Sequence, residues 1–222
     1  MRSSRRDLLR RAAECFLRDG VPDEAVDCYV AAGDHLRAAE LLRDLGRPLD
    51  AARQYQQLRQ WRAAADCLYA AGHVREAVDS WVAAGDVLLA AWELVLSAAP
   101  RRPPAAARDR ARQLAASVTE RSAGVRQRRR LVLSLCEPDS TAARRATAVV
   151  LTEAPAWIAD LPQGDWAELE RWAVRAATFI ERPDLAAGVF AASYRAGGAG
   201  VLPRWRQWTV SALGDATGVP ER

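Results

Sequence analysis

The chain has 222 residues, half of them apolar, so it is long enough to bury a continuous hydrophobic core. All 32 basic residues are arginine, and neither lysine nor asparagine occurs, a bias typical of proteins from GC-rich bacterial genomes. No stretch approaches about eighteen uncharged apolar residues, and the first residues lead into no apolar run. We therefore expect a protein without a secretory signal that does not insert into membranes and lies in the cytoplasm.

A thirteen-residue repeat runs without insertion from residue 9 to residue 99. Its fourth position is always alanine, its fifth is alanine or valine, and its twelfth is glycine in five of seven repeats, with Arg59 and Ala98 as the departures. The seven repeats span residues 9–21, 22–34, 35–47, 48–60, 61–73, 74–86 and 87–99. The eighth position is always large and apolar or aromatic: Phe16, Tyr29, Leu42, Tyr55, Leu68, Trp81 and Leu94.

Each repeat is predicted to form one short helix, because its fourth, fifth and eighth positions lie on one side of an α-helix. Glycine near the end supplies the left-handed residue that closes a helix, and Asp34 and Asp86 are expected to cap the helix that follows. Pro22 and Pro48 suit a first helical turn. Helices this short need neighbours, so we expect antiparallel hairpins that stack, with the eighth position in the core.

The pattern A-x-x-x-Y-x-x-A-G-D spans Ala25 to Asp34, and it recurs from Ala77 to Asp86 with Trp81 in place of tyrosine. This pattern resembles the tetratricopeptide-like α-solenoid repeats, including those of coat, clathrin-type and attachment proteins. The resemblance covers residues 9–99 and implies a scaffold or adaptor. A tetratricopeptide hairpin is longer than the hairpin of two thirteen-residue repeats, so that family's peptide-binding residues are not carried over.

The rest of the chain is also predicted to be helical, with segments at 104–119, 125–136, 141–153, 183–196 and 203–213. A stripe of buried residues is expected in a further helix after Asp165, which forms a capping-box pattern with Glu168. The stripe comprises Trp166, Leu169, Trp172, Ala173, Ala176 and Ile180. The predicted class is thus all-α, with a solenoid at 1–99, an Arg-rich helical connector at 100–146 and a Trp-rich C-terminal helical cap at 147–222.

The residues offer no catalytic, metal or cofactor site. His35 and His73 are expected in exposed turns without a nucleophile or acid at a suggestive spacing. Cys15, Cys28 and Cys67 share the seventh repeat position, where small buried apolar residues are the simpler explanation than metal ligands. Gly197, Gly198 and Gly200 follow a predicted helix rather than a strand, so they are not a dinucleotide fingerprint. We expect a protein that is not an enzyme and binds no cofactor.

Positive charge is concentrated in the connector, where 12 arginines stand against 4 acids, while residues 1–99 hold 13 arginines and 15 acids. Guanidinium groups form forked hydrogen bonds with phosphates and carboxylates, so this segment is a candidate site for nucleic acid, another polyanion or an acidic protein. Solvated helix faces are the simpler explanation. The candidate anion-binding residues are Arg101, Arg102, Arg108, Arg112, Arg126, Arg128, Arg129 and Arg130.

The leading hypothesis is a non-catalytic adaptor that binds another protein within a bacterial multi-component assembly. Large aromatic residues outside the predicted core, Trp61, Tyr69 and Trp92, are the candidate anchors, because aromatic side chains carry much of the binding energy of interfaces. The alternative is polyanion binding through residues 101–130, for which affinity would fall steeply with salt.

Overall fold

The structure, a computed structural model, describes residues 4–97, 103–198, 200–215 and 218–220. Within those residues it contains thirteen α-helices, two single-turn 3-10 helices and no strand, which confirms the all-α prediction. The α-helices are α1 (Arg5–Arg18), α2 (Pro22–Ala31), α3 (His35–Asp44), α4 (Pro48–Gln57), α5 (Trp61–Ala70), α6 (Val74–Ala84), α7 (Val87–Leu96), α8 (Ala105–Ser117), α9 (Ala123–Leu135), α10 (Ser140–Trp157), α11 (Trp166–Phe179), α12 (Pro183–Arg195) and α13 (Val201–Leu213).

The chain divides into two compact regions, an N-terminal region of residues 1–90 and a C-terminal region of residues 91–222. The boundary lies within α7. The predicted Arg-rich connector and Trp-rich cap both lie in the C-terminal region, where α9 and α10 pack on each other.

In the N-terminal region the helices α2 to α7 begin at residues 22, 35, 48, 61, 74 and 87, thirteen residues apart. Consecutive helices from α1 to α6 pack on one another through small residues, since the fourth-position alanines from Ala25 to Ala77 are fully buried. The eighth-position residues Tyr29, Leu42, Tyr55, Leu68 and Trp81 are also buried. Phe16, in α1, is only half-buried.

Each turn between these helices repeats one hydrogen bond, from the N–H of the thirteenth position to the carbonyl of the eighth. Asp34 donates to Tyr29 at 2.8 Å, and Gln60 donates to Tyr55 at 2.9 Å. The residue before each donor is left-handed: Gly33 has a φ of 72°, and Arg59, which occupies the same position in its repeat, has a φ of 55°.

The prediction that the Asp34 side chain caps α3 is wrong. Asp34 precedes the helix with φ −92° and ψ 62°, which is not the extended conformation that directs a carboxylate at the helix N–H groups. Its carboxylate instead accepts a hydrogen bond of 2.9 Å from Nε of Arg10. Pro22 and Pro48 begin their helices as predicted.

That contact belongs to a recurring set of ion pairs between the second position of one repeat and the thirteenth position of the next. Arg10 pairs with Asp34 at 2.9 Å, Asp23 with Arg47 at 2.7 Å, and Arg62 with Asp86 at 3.5 Å. The sign of the charge is reversed in the middle pair. Because the arginines of these pairs are exposed, each pair contributes about 1 kcal/mol or less to folding, although the carboxylates of Asp34 and Asp86 are partly buried.

In the C-terminal region the predicted apolar stripe is buried on α11. Two local predictions are wrong there. Helix α10 continues past Pro155 to Trp157, with the proline inside the helix. Asp165 ends a 3-10 turn with helical dihedrals and makes no capping hydrogen bond.

The core of the C-terminal region is aromatic and holds two buried acids. The rings of Trp92 and Trp172 stack with centroids 4.1 Å apart. Glu93 is paired with Arg175, and Glu170, with 1% of its side chain exposed, accepts a hydrogen bond of 2.6 Å from Nε of Arg204. Pairing with arginine is what makes the burial of these carboxylates tolerable.

Candidate protein-binding surface

The three candidate anchors have different environments. Trp61 begins α5 and is half-buried, and Tyr69 is half-buried with its ring 5.3 Å from that of Trp81. Trp92 is 1% exposed, so the expectation that it is an exposed anchor is wrong. It occupies the sixth repeat position, which is charged in the other six repeats, and its change to tryptophan reflects packing against Trp172 in the C-terminal region.

Trp61 lines a shallow, open groove of about 570 Å³ between the beginning of α5 and the end of α6. Small side chains leave this space, because Ala63, Ala83 and Ala84 form part of its wall. The carboxylate of Asp66 on the groove accepts a hydrogen bond of 3.2 Å from Nε1 of Trp81. The full lining is Arg59, Gln60, Trp61, Arg62, Ala63, Asp66, Ala83 and Ala84.

Four exposed leucines distinguish the third and fourth repeats from the others. Leu36 and Leu49 occupy the second position, and Leu45 and Leu58 occupy the eleventh, with exposures of 36–40%. The other second positions are charged except Leu88, and the other eleventh positions are alanine, serine or aspartate. Large apolar side chains that collect on one exposed surface are typical of a site that binds another molecule.

Leu36 and Leu58 lie at the same end of the helices as the Trp61 groove. Turns of three residues join helices that pack on each other, so successive helices run antiparallel, and the start of α3, the end of α4 and the start of α5 share one end. Elsewhere in this region, the second position of one repeat forms an ion pair with the thirteenth position of the next. In the third and fourth repeats, Leu36 and Gln60 occupy these two positions. We call Leu36, Leu58, Arg59, Trp61 and the groove together the Trp61 surface.

Of this surface, only Trp61 is predicted from the sequence. Arg59 is visible there as a departure from glycine at the twelfth position, and the leucines as departures at the second and eleventh positions. Departures from the repeat pattern are therefore the sequence feature that indicates this surface.

The predicted anion-binding segment is largely occupied by internal contacts. Arg101 and Arg102 lie outside the described residues. Arg128 pairs with Glu168, Arg129 with Glu120, and Arg130 with Glu153 at 2.5 Å. Arg112 pairs with Asp109 and donates to the carbonyl of Cys136, Arg108 donates to the carbonyl of Pro103 at 3.5 Å, and Arg126 is exposed.

Two of these arginines also lie over aromatic rings. The guanidinium carbon of Arg128 is 5.9 Å from the ring centre of Trp172, and that of Arg130 is 5.6 Å from the ring centre of Trp157. Such contacts add cation–π attraction to the ion pairs. Much of the positive charge that the sequence concentrates here therefore stabilises the C-terminal region.

The histidines and cysteines form no metal site: no group of three or more histidine, cysteine or acidic side chains with suitable geometry occurs among the described residues. His35 is half-buried, with Nδ1 2.8 Å from Oε1 of Gln54, so the expectation of an exposed turn is wrong for it. Cys15 is exposed, contrary to expectation. Burial raises the pKa of the Cys67 thiol and raises the pKa of Cys136 to about 11, which keeps both protonated at neutral pH.

In the described part of the chain, no helix combines the length and the apolar character needed to cross a membrane. Comparison of the chain with protein-family models, curated proteins and solved structures found no match.

Proposed function

We propose that the protein is a non-catalytic scaffold or adaptor that binds a partner protein through the Trp61 surface. In this proposal the N-terminal helices stack as an α-solenoid of the tetratricopeptide-like kind, and the C-terminal region caps it. The constant helix spacing, the recurring turn hydrogen bond and the recurring ion pairs between successive repeats support that arrangement.

The observation that carries the proposal is the accumulation of large apolar side chains at one end of α3, α4 and α5. A half-buried tryptophan beside an open groove, with leucines that are 36–40% exposed at the same end of the helices, is suited to anchor an apolar side chain of a partner. Burying such side chains contributes about 25 cal/mol for each Å² of apolar surface removed from water.

Polyanion binding is the weaker alternative. Counterion release requires arginines that are free to neutralise phosphates, and Arg128, Arg129 and Arg130 already pair with carboxylates. Arg126 is exposed, so it is a residue through which polyanion binding can be tested.

Site-specific photo-crosslinking in native cytosol tests the proposal. A photoreactive amino acid replaces Leu58 on the Trp61 surface or, as the control, Leu49, which is equally exposed at 36% but lies at the opposite end of the helices. We expect a discrete protein adduct from position 58 that persists after nuclease treatment and at high salt. An adduct from position 49 alone would contradict the assignment of the surface, and nuclease-sensitive recovery alone would favour polyanion binding.

A further inference from the structure

Two residues other than glycine are left-handed among the described residues, Arg59 with φ 55° and Glu181 with φ 59°. A side chain disfavours this conformation, so it persists where the surroundings or a function require that side chain. The carboxylate of Glu181 accepts two hydrogen bonds of 3.1 Å from Arg144. Arg59 has no acidic partner within 4.0 Å in the part of the chain that the structure describes.

The fold itself does not require an arginine at position 59. Five other repeats have glycine there, and a Cβ added to Gly33, Gly46 or Gly72 meets no atom within 4 Å. A side chain at this position therefore extends into open space and fills no gap in the core. The turn hydrogen bond from the N–H of Gln60 to the carbonyl of Tyr55, at 2.9 Å, also forms in the repeats that have glycine at the twelfth position. What distinguishes this turn is an exposed guanidinium.

Two other charged groups line the Trp61 groove. Arg62 pairs with Asp86 at 3.5 Å, whereas Asp66 accepts only the neutral indole N–H of Trp81 and keeps its negative charge. Among the described residues, Arg59 has no acidic partner within 4.0 Å, and it lies next to Leu58 and Trp61 in the same turn. An apolar patch next to a guanidinium that is not in an ion pair is complementary to an apolar side chain next to a carboxylate.

We propose that Arg59 recognises a carboxylate of the partner, so that the Trp61 surface binds a peptide segment in which an aspartate or glutamate lies next to a large apolar side chain. This inference rests on the proposed function and adds the chemistry of the partner. Arg59 holds the carboxylate at the rim of the groove, and the apolar side chain packs against Trp61 and the two leucines.

Selection of random peptides displayed on phage against the immobilised full-length chain tests this proposal. The variants are R59E and, as the matched control, R75E. Arg75 is also exposed and has no acidic partner within 4.0 Å among the described residues, but it lies near the start of α6, at the opposite end of the helices. We expect peptides rich in acidic and large apolar residues on the wild type and R75E, and peptides rich in basic residues on R59E.

Binding measurements then quantify the contact. The affinity for a selected acidic peptide should fall roughly tenfold in R59E and remain unchanged in R75E, since a charge-assisted hydrogen bond contributes about that factor. Selected peptides without acidic residues, or equal binding to R59E, would overturn the role of Arg59 while leaving the scaffold proposal intact. Failure of the wild type to enrich any peptide would overturn the peptide-binding role of the Trp61 surface, whereas the scaffold proposal is tested separately by the photo-crosslink from position 58.

Discussion

The two regions use their arginines differently. In the N-terminal region the ion pairs that link successive repeats join residues 24 apart in sequence, their arginines are exposed, and no acid in them is fully buried. In the C-terminal region Arg204 and Arg175 reach acids 34 and 82 residues away, and those acids are almost fully buried. Ion pairs therefore link neighbouring repeats at the surface of the N-terminal region, whereas in the C-terminal region they are part of the core.

The largest expected effect comes from placing a charge in the core of the N-terminal region. Tyr29→Asp should lower the free energy of unfolding by about 4 kcal/mol or more, because Tyr29 is 4% exposed and an unpaired carboxylate would replace its ring. Urea denaturation measures the loss. The same substitution at the half-buried Phe16 is the control and should cost less; equal losses would contradict the burial pattern along the repeats.

The next effect tests the buried charges of the C-terminal region. Arg204→Met should lower the free energy of unfolding by about 3 kcal/mol, because it leaves the carboxylate of Glu170 buried without its partner. Arg144→Met, which breaks the exposed pair with Glu181, should cost at most about 1 kcal/mol. If urea denaturation gives similar losses for both variants, the distinction between exposed and buried pairs fails.

A smaller loss is expected where the backbone of the N-terminal region requires glycine. Gly72→Val should lower the free energy of unfolding by about 1–2 kcal/mol, because Gly72 has a φ of 80°, a conformation that β-branched residues resist. The added side chain meets no steric obstacle, since a Cβ there has no atom within 4 Å. A melting curve identical to that of the wild type would show that this turn does not hold the left-handed conformation in solution.

The reverse substitution should stabilise the protein. Arg59→Gly relieves the left-handed arginine and should raise the free energy of unfolding by about 1 kcal/mol, or the melting temperature by about 2–4 °C. Arg75→Gly, within α6, should instead lower the melting temperature, because glycine is unfavourable inside a helix. A lower melting temperature for Arg59→Gly would mean that Arg59 stabilises the fold.

The last prediction concerns pH, and its effect is confined to alkaline solution. The pKa of Cys136 is raised to about 11 in the folded protein, whereas the unfolded thiol ionises near the ordinary value of 9.0. The folded state therefore retains the proton between these values, and the contribution of Cys136 to stability, complete below pH 9, is lost as the pH rises towards 11. Over that pH range, the free energy of unfolding from urea denaturation should fall less steeply for Cys136→Ala than for the wild type. Equal slopes would contradict the burial of this thiol.

The local structure of the repeats follows closely from sequence, because the residues that begin and end each helix lie within one thirteen-residue repeat. Pro48 marks a helix start and Gly33 a helix end by their own backbone preferences. The cap expected of Asp34 fails because the turn holds this position near ψ 62°, as it holds Arg47 and Gln60 in their repeats. The carboxylate then pairs with Arg10 in another helix, a distant contact that the local sequence does not indicate.

The candidate site can be predicted only in part for the same reason. Trp61 is recognisable as a large aromatic residue outside the repeated core, but similar reasoning fails for Trp92, which is covered by a ring 80 positions later in the chain. The Arg-rich segment has the composition of a free anion-binding surface, although Arg128 finds its acid 40 residues away. Such pairings depend on tertiary packing, which no local pattern specifies.

The alternating sign of the ion pairs between successive repeats gives the repeats an order. Removal of the second repeat, residues 22–34, would preserve the thirteen-residue spacing yet set Arg10 opposite Arg47 in place of Asp34. Like charges would then meet where opposite charges meet now. Repeats of nearly identical shape are thus not interchangeable at these positions, because each charge matches the repeat that follows it.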